Sequence, residues 1–236
     1  MLGNPIQFID ADGMSVDGHY YSSDGQYLGN DGIDDDKVYL VTGNNIDKMS
    51  LDQILSTSSN PIDGATSLTT VSELNMSHSE LNMRVMLSVI RTTEGHGTPL
   101  NYDSQFGNNT ITNYKSHPNK SIKAWGHTST AAGAYQFLSG TWSTIASQIG
   151  AGDFSPSNQD LAAVARIDWK NGATEAIKSG DFNSAISKLN GVWTSLPGGK
   201  HQWANSNTTN LVNEYLVKEL NDQSIINTPQ GELLSN

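Results

Sequence analysis

The chain has 236 residues, which predicts one domain of ordinary size with an appendage. It contains no cysteine, and this excludes disulfides, thiol catalysis and cysteine-based zinc sites. The net charge of −11 is concentrated in residues 1–93, where 13 acidic side chains face 4 basic ones; this argues against nucleic acid as a partner, because phosphate binding needs clustered lysine and arginine.

Neither a membrane span nor a secretory signal is visible in the sequence. No apolar run approaches the length that crosses a bilayer. The first residues lack both a basic n-region and an apolar h-region. We therefore expect no membrane-spanning segment, and the abrupt start is also what a fragment of a longer protein would show.

Residues 1–45 form a Gly- and Asp-rich arm in which we expect short β-strands. The residues around Ser22–Gly25 predict a hairpin, and Lys37–Val41 predicts a further strand. Such an arm is too small to bury a core alone, so we expect it to pack on the main domain. Asp-Gly pairs favour turns with positive φ, and they recur at Asp12-Gly13, Asp17-Gly18, Asp24-Gly25 and Asp31-Gly32.

Acidic residues of the arm and three loop histidines are the candidate metal ligands. Carboxylates can gather around calcium, but neither acidic group has EF-hand spacing, so turn-forming, solvated acids are the favoured interpretation. The histidines also lack ligand spacing, and we predict no metal and no cofactor. The groups are Asp10, Asp12 and Asp17; Asp31, Asp34, Asp35 and Asp36; and His96, His117 and His127.

Residues 46–77 are a predicted connector with one short helix near Leu51–Leu55. Ser77 and Glu80 then have the spacing of a capping box, in which each side chain satisfies a free backbone N–H group at a helix start. Apolar residues at helical spacing follow and predict an amphipathic helix. This helix ends at Gly95 and Gly97, directly after Glu94.

The remainder predicts a mainly helical α+β domain over residues 78–221, followed by a tail over residues 222–236. Alternation in Asn109–Tyr114 indicates a small β hairpin lobe within the polar stretch 98–128. Five helices follow, separated by glycine and proline signals. We expect them at about 138–149, from Pro156 towards Gly172, and at 173–179, 182–190 and 207–220.

From Glu94 to about Leu220 the chain resembles the phage lambda endolysin family, a branch of the lysozyme superfamily. The order and spacing of the matching residues run nearly without gaps from Ser129 to Gly198, and Glu94-Gly95 falls on the family's catalytic Glu-Gly. The resemblance implies a lysozyme-like fold and leaves residues 1–77 unexplained. Its clearest stretches are Ser129–Tyr135, Asp153–Pro156, Gln159-Asp160, Gly180–Phe182, Ala185-Ile186 and Val192–Gly198.

Two positions depart from the family pattern. Ala131 stands where the family usually has glycine, which stiffens the loop. Ala134 stands where the family has a basic residue, which removes a contact to a substrate carboxylate. Neither position is the proton donor, so these departures concern substrate preference more than the reaction.

The resemblance implies that Glu94 is the acid and base that cleaves the β-1,4 bond between N-acetylmuramic acid and N-acetylglucosamine in peptidoglycan. A carboxylic acid donates a proton near neutral pH only when burial raises its pKa. A hydrolase usually needs a second carboxylate, for which Asp103 is the nearest candidate, although a loop cap is its favoured role. The lambda-type family instead resembles lytic transglycosylases, which need a single carboxylate, and this is the favoured mechanism.

Five residues are predicted to hold the sugar: Thr130, Tyr135, Gln136, Tyr102 and Asp103. Their hydroxyl, amide and carboxylate groups can bond ring substituents, and an aromatic face can stack on a pyranose. Tyr135 and Gln136 are as well suited to anchoring their loop. Trp142 and Trp193 are predicted to lie in the core, with Trp193 a more distant candidate for a sugar contact.

The sequence leaves open whether the protein is an enzyme or a binding module, and whether it acts as an effector or as a phage endolysin. A non-catalytic peptidoglycan-binding module is the alternative to an enzyme. An antibacterial effector, secreted or injected into the periplasm of a target cell and paired with an immunity protein, is favoured over a phage endolysin. The acidic arm appended to the domain is the feature that favours the effector.

Overall fold

The computed structural model describes residues 18–32, 36–58, 69–203 and 207–235. The chain divides into two compact units, an N-terminal unit, Met1–Leu74, and a C-terminal unit, Asn75–Asn236. In the described parts of the chain, no helix combines the length and apolar character needed to cross a membrane. Outside the described residues lie Asp10, Asp12, Asp17, Asp34 and Asp35 of the calcium candidates, and with them the turn predicted at Asp12-Gly13.

The N-terminal unit is built on a sheet with the strand order β2-β1-β3-β4. Strands β1 and β2 form the predicted antiparallel hairpin, whose turn contains Gly25 at a φ of 85°. Strand β3 lies parallel to β1 on its other side. The strands are β1 (His19–Ser22), β2 (Tyr27–Asn30), β3 (Lys37–Gly43) and β4 (Thr69–Ser77), and a 3₁₀ turn (Ile46–Lys48) and helix α1 (Leu51–Ser58) lie between β3 and β4.

The N-terminal unit has a hydrophobic core of its own. The rings of Tyr20 and Tyr39 stack with centroids 4.9 Å apart. Ile46, Ile54 and Leu55 pack in the same cluster. The sequence predicted an arm, residues 1–45, that cannot bury a core, and a separate connector. The structure differs because apolar residues of the connector complete the core of the arm.

The C-terminal unit is organised around helix α2 (His78–Glu94). The Ser77 hydroxyl accepts a hydrogen bond from the Glu80 N–H group at 3.0 Å, which confirms half of the predicted capping box. The Glu80 carboxylate instead accepts from Gly231 and Arg84. Every side chain from Glu80 to Thr93 is buried, so α2 is a central helix, and the prediction of a single apolar face was wrong.

The other described residues of the C-terminal unit form a small β lobe and five helices, which match the predicted positions within a few residues. Helix α2 packs against α4, α5 and α7. The lobe contains two separate two-stranded sheets where the sequence predicted one hairpin. The elements are β5 (Ser104–Gln105), β6 (Asn109–Thr110), β7 (Ile122–Ala124), β8 (His127–Ser129), α3 (Ser139–Ile149), α4 (Pro156–Asp168), α5 (Ala173–Lys178), α6 (Phe182–Leu189) and α7 (Thr208–Leu220).

The C-terminal segment, residues 222–235, packs into this unit, although the sequence predicted a tail. Its Ile226 and Leu233 side chains are buried. Buried Arg84 donates to the Thr228 carbonyl at 2.8 Å, and Arg91, two turns further along α2, donates to the Ile225 carbonyl. The segment therefore supplies carbonyl acceptors to two buried guanidinium groups. Its polar composition hides this role in the sequence.

Candidate functional site

Glu94 is the last residue of α2, and the turn that follows it requires glycine. A side chain at Gly95 would place its Cβ 1.8 Å from the Thr98 carbonyl oxygen. Gly97 has a φ of 104°, a backbone conformation that other residues rarely adopt. The turn holds the partly exposed Glu94 side chain at the end of a buried, rigid helix.

The Glu94 carboxyl group has a hydrogen-bond donor from a distant part of the chain. The Ser195 hydroxyl donates to Glu94 Oε1 at 2.5 Å, and the Ser195 side chain is 5% exposed. Burial raises the pKa of Glu94, and the hydrogen bonds from Ser195 and the charge of His96 lower it by less. The net pKa is above the ordinary glutamate value, so the group keeps its proton to a higher pH, as a general acid requires.

Two tryptophans anchor the loop that carries Ser195. The Trp193 indole N–H donates to the Tyr135 carbonyl at 3.1 Å, and Trp193 is buried, as predicted. The backbone N–H of Trp203 donates to the Ser195 carbonyl at 3.0 Å. The Trp203 ring also packs on Gly97, where an added Cβ would lie 2.7 Å from Cζ2. The loop after α6 and the turn after Glu94 are thereby packed together.

The sequence analysis selected neither Ser195 nor Trp203 as a site residue. Ser195 lies in the matched stretch Val192–Gly198, so its position was visible but its contact with Glu94 was not. Glu94 and Ser195 are separated by 101 positions in the sequence. A hydrogen bond over that separation depends on how the helices pack, which no local pattern records.

The polar loop 129–136 is fixed by its own hydrogen bonds. Thr130 Oγ1 accepts from the Ser139 N–H at 3.1 Å and so caps the start of α3. Gln136 Nε2 donates to the Gly133 carbonyl at 2.9 Å, and Gln136 has a φ of 50°. Both side chains remain partly exposed. The predicted sugar contacts of Thr130 and Gln136 therefore remain available beside these anchoring roles.

Gly133 lies where the loop approaches the side chain of Gln159. A Cβ at Gly133 would be 2.2 Å from Gln159 Oε1. That oxygen accepts from the Ala134 N–H at 2.9 Å, and Gln159 Nε2 donates to the Tyr102 carbonyl at 3.1 Å. The buried Gln159 amide therefore links the loop to the lobe. Ala131 and Ala134, the two departures from the family pattern, are both buried.

The hydroxyl groups of Tyr102 and Tyr135 both donate to one buried carboxylate, that of Asp160. Tyr135 is 1% exposed, and its hydroxyl donates to Asp160 Oδ1 at 2.6 Å. The Tyr102 hydroxyl donates to the same oxygen at 2.8 Å, and the Arg91 guanidinium lies over the Tyr102 ring. Burial raises the pKa of both tyrosines. This corrects the predicted role of Tyr135, since a fully buried ring cannot stack on a pyranose. Tyr102 is partly exposed, and its sugar contact stays a prediction.

Asp160 joins the C-terminal segment to this network. Its Oδ2 accepts from the N–H groups of Asn227 and Thr228, both at 2.9 Å. Burial raises the pKa of Asp160, and the hydrogen bonds from the tyrosines and from Thr228 oppose that shift. Asp160 is therefore a structural acceptor beneath the loop.

Asp103 belongs to the lobe. Its carbonyl accepts from the Ile111 N–H at 2.8 Å. Burial raises the pKa of Tyr114, and the charge of the Asp103 carboxylate adds to that shift. Among the described groups, the one whose charge acts on the Glu94 pKa is His96. The structure therefore does not pair Asp103 with Glu94, and a direct sugar contact by Asp103 stays a prediction.

Comparisons with known proteins match the part of the chain that carries this site. The family model for endolysins matches residues 84–219. The chain is 39% identical to the endolysin of Escherichia phage lambda over 107 residues, which are 45% of this chain and 65% of that protein. It is 37% identical to the endolysin of Escherichia phage P2 over 94 residues, which are 37% of this chain and 56% of that protein. The chain thus spans less than two thirds of either relative.

A solved structure is similar as well. It is the lysozyme of bacteriophage lambda complexed with a chitohexasaccharide, with a TM-score of 0.51 and 31% sequence identity. The similarity covers 60% of this chain and 94% of the lambda lysozyme. The predicted lysozyme-like α+β fold is thereby confirmed. The region that the family model matches, residues 84–219, includes both Glu94 and Ser195.

Proposed function

This chain belongs to the endolysin family, and we propose that it cleaves the β-1,4 bond between N-acetylmuramic acid and N-acetylglucosamine in peptidoglycan. The observation that carries the proposal is Glu94, a partly exposed carboxyl group at a rigid helix end whose pKa is raised by burial. The similarity to a lysozyme complexed with a chitohexasaccharide supports an amino-sugar strand as the ligand.

Glu94 supplies the proton that the leaving sugar oxygen needs. With Ser195 donating to Oε1, the proton of the neutral acid is left on Oε2, the oxygen free to face a substrate. Transfer of that proton to the glycosidic oxygen breaks its bond to C1 and leaves an oxocarbenium ion. The Glu94 carboxylate formed in this step lies beside the positive charge and stabilises it.

We propose that the second step is intramolecular, as in a lytic transglycosylase. The Glu94 carboxylate accepts the proton of the C6 hydroxyl of N-acetylmuramic acid, and O6 attacks C1 to close a 1,6-anhydro ring. Glu94 ends protonated, and no water is consumed. This needs one carboxylate, and the surroundings of Glu94 support it, since a serine hydroxyl and a histidine are the groups that act on its pKa. A hydrolytic muramidase is the alternative, and its products are heavier by one water.

Thr130 and Gln136 are the proposed sugar contacts in the loop. Each is partly exposed and has one hydrogen-bonding position used within the protein. The Thr130 hydroxyl can still donate, and the Gln136 amide can still accept through Oε1. Both groups suit the N-acetyl and hydroxyl substituents of an amino sugar.

A Glu94→Gln variant tests the enzyme against a binding module. Glutamine keeps the shape and the Ser195 contact but cannot donate a proton of suitable acidity. The wild type is expected to clear a suspension of purified cell walls, and the variant is expected to bind walls without clearing them. A wild type that binds and never clears walls would establish the non-catalytic alternative.

For the biological setting, we propose an antibacterial effector that acts in the periplasm of a target cell. The supporting feature is the acidic N-terminal unit with its own core, which precedes the region matched by the endolysin family. Expression directed to the periplasm should lyse bacteria, and a co-expressed immunity protein from a neighbouring gene should prevent lysis. Holin genes beside the coding sequence, with no protective neighbour, would assign it to a phage as an endolysin.

A further inference from the structure

The turn between β7 and β8 has an unusual residue at its tip. The register pairs Ala124 with His127, which leaves Trp125 and Gly126 as a two-residue turn. Both have positive φ, 47° and 77°, which is the backbone of a type I′ turn. Asn or Gly normally occupies the first position, and a bulky residue there is a conformational outlier. Such outliers concentrate at functional positions.

The indole of Trp125 faces outward. At 64% exposure it is the most exposed of the large apolar side chains in the described parts of the chain. Phe106 meets it edge-on, with ring centroids 5.2 Å apart and an interplanar angle of 83°. This contact orients the indole, and most of its surface stays exposed and able to contact a ligand.

The charge around the turn is opposite to that of the whole protein. No aspartate or glutamate occurs from Ser104 to Gly152, while the chain as a whole has a net charge of −11. The lysines within that stretch are all exposed. Ile122 and Ala124 face Gly107 of the neighbouring hairpin, and alternation along β7 therefore directs Lys123 to the opposite, solvent face. The three lysines are Lys115, Lys120 and Lys123.

We propose that the β7–β8 hairpin is a second binding site for the peptidoglycan strand, in which a pyranose stacks on Trp125 and a stem-peptide carboxylate pairs with Lys123. The site rests on the proposed glycan substrate and adds a preference for strands whose stem peptides carry free carboxylates. The C–H face of a pyranose is apolar and matches an aromatic face. The exposed ammonium group complements a carboxylate beside it.

An anionic lipid surface is the other partner that a tryptophan next to lysines can suit. The glycan is favoured because the tip presents one ring and not a broad apolar face. The hairpin also runs through exposed or partly exposed hydroxyl groups directly into the loop of the proposed sugar contacts. These hydroxyls belong to Thr128, Ser129 and Thr130.

The test measures binding in the Glu94→Gln background, where cleavage cannot remove the ligand. The added variants are Trp125→Asn and Lys123→Gln, and sedimentation with purified sacculi gives the affinity. Trp125→Asn is expected to weaken binding roughly tenfold. Because asparagine tolerates the left-handed backbone, its melting temperature should equal or exceed that of the parent. Trp169→Asn and Lys188→Gln are matched exposed controls and should bind within about twofold of the parent.

Chemically amidated sacculi separate the stacking contribution from the charge contribution. Lys123→Gln should weaken binding to untreated sacculi about threefold and have no effect on amidated ones, whereas Trp125→Asn should weaken both. The proposal is overturned if Trp125→Asn binds sacculi as tightly as its parent. It is also overturned if the loss appears with phosphatidylglycerol vesicles and not with sacculi. Failure of the proposed function is distinguishable, because it appears as a wild type that never clears walls.

Discussion

Replacing Arg84 with methionine should destabilise the C-terminal unit strongly and in a pH-dependent way. The Arg84 guanidinium donates to Glu219 at 2.8 Å and to Glu80 at 3.4 Å. The side chains of Arg84, Glu219 and Glu80 are 2%, 0% and 4% exposed. Methionine fills much of the same volume, so the main change is that two buried carboxylates lose their shared positive charge.

The size of the effect follows from that burial. Removing one partner of a buried ion pair costs about 3–5 kcal/mol. For a unit of this size, each kcal/mol lowers the melting temperature by roughly 2–4 °C. The Arg84→Met variant should therefore melt about 6–20 °C below the wild type at pH 7.5. Tryptophan fluorescence reports this transition selectively, because all five tryptophans lie in the C-terminal unit.

The pH dependence has a definite sign. Burial already raises the pKa of Glu80 in the folded protein, and loss of Arg84 adds to that effect. A carboxyl group with a raised folded-state pKa binds protons more readily in the folded than in the unfolded state, so its destabilising effect grows as pH rises and shrinks as pH falls. The deficit of Arg84→Met should therefore be smaller at pH 4.5 than at pH 7.5.

Lys218→Met is the matched control. Lys218 pairs with Glu214 at 2.6 Å on α7, but these side chains are 33% and 51% exposed. An exposed pair contributes about 0–1 kcal/mol, so this variant should melt within a few degrees of the wild type. The reasoning is refuted if Arg84→Met melts as close to the wild type as Lys218→Met does, or if its deficit grows on acidification.

Three further variants test the site. Ser195→Ala removes a donor that favours the ionised carboxylate, so the pKa of Glu94 should rise and the alkaline limb of kcat/KM should move to higher pH. The kcat value should fall about tenfold. Ser195→Thr should restore both the pH profile and kcat, and an unmoved limb in Ser195→Ala would contradict the assigned contact. Gly133→Ala should lower the free energy of unfolding by at least about 1–2 kcal/mol, because φ is 80° and the new Cβ would lie 2.2 Å from Gln159 Oε1. Gly152→Ala, where a Cβ meets open space, should leave the melting temperature nearly unchanged in the same assay. Glu94→Gln should melt at a higher temperature than the wild type at pH 8, because the raised pKa makes ionised Glu94 destabilising. The difference in melting temperature should disappear as pH falls. An equal difference at pH 4 would show that charge is not the cause.

The helices of the C-terminal unit could be predicted from the sequence because their signals are local. Glycine and proline mark the ends, and apolar residues at helical spacing mark the bodies, so α3 to α7 matched within a few residues. The packing of the connector and of the C-terminal segment could not be predicted in this way. The C-terminal segment looks polar and turn-rich, and it is ordered by Arg84, Arg91 and Asp160, which lie far away in sequence.

The site was partly predictable for the same reason. Glu94 followed from the helix end and the glycine turn together with the family resemblance. Its partner Ser195 required the packing of a loop 101 residues away. Tyr135 has a residue type that suits sugar binding, but the sequence does not show that its hydroxyl is used by buried Asp160. Exposure, which decides between those roles, is a property of the folded chain.

The most direct test of Glu94 as sole acid and base is mass spectrometry of the products released from purified sacculi in water enriched in the heavy oxygen isotope. The wild type should release 1,6-anhydro muropeptides that carry no heavy oxygen, because O6 of the sugar closes the ring. Glu94→Gln should release none. Reducing-end muramic acid labelled with heavy oxygen would contradict the single-carboxylate mechanism, and products released equally by Glu94→Gln would contradict the role of Glu94 itself.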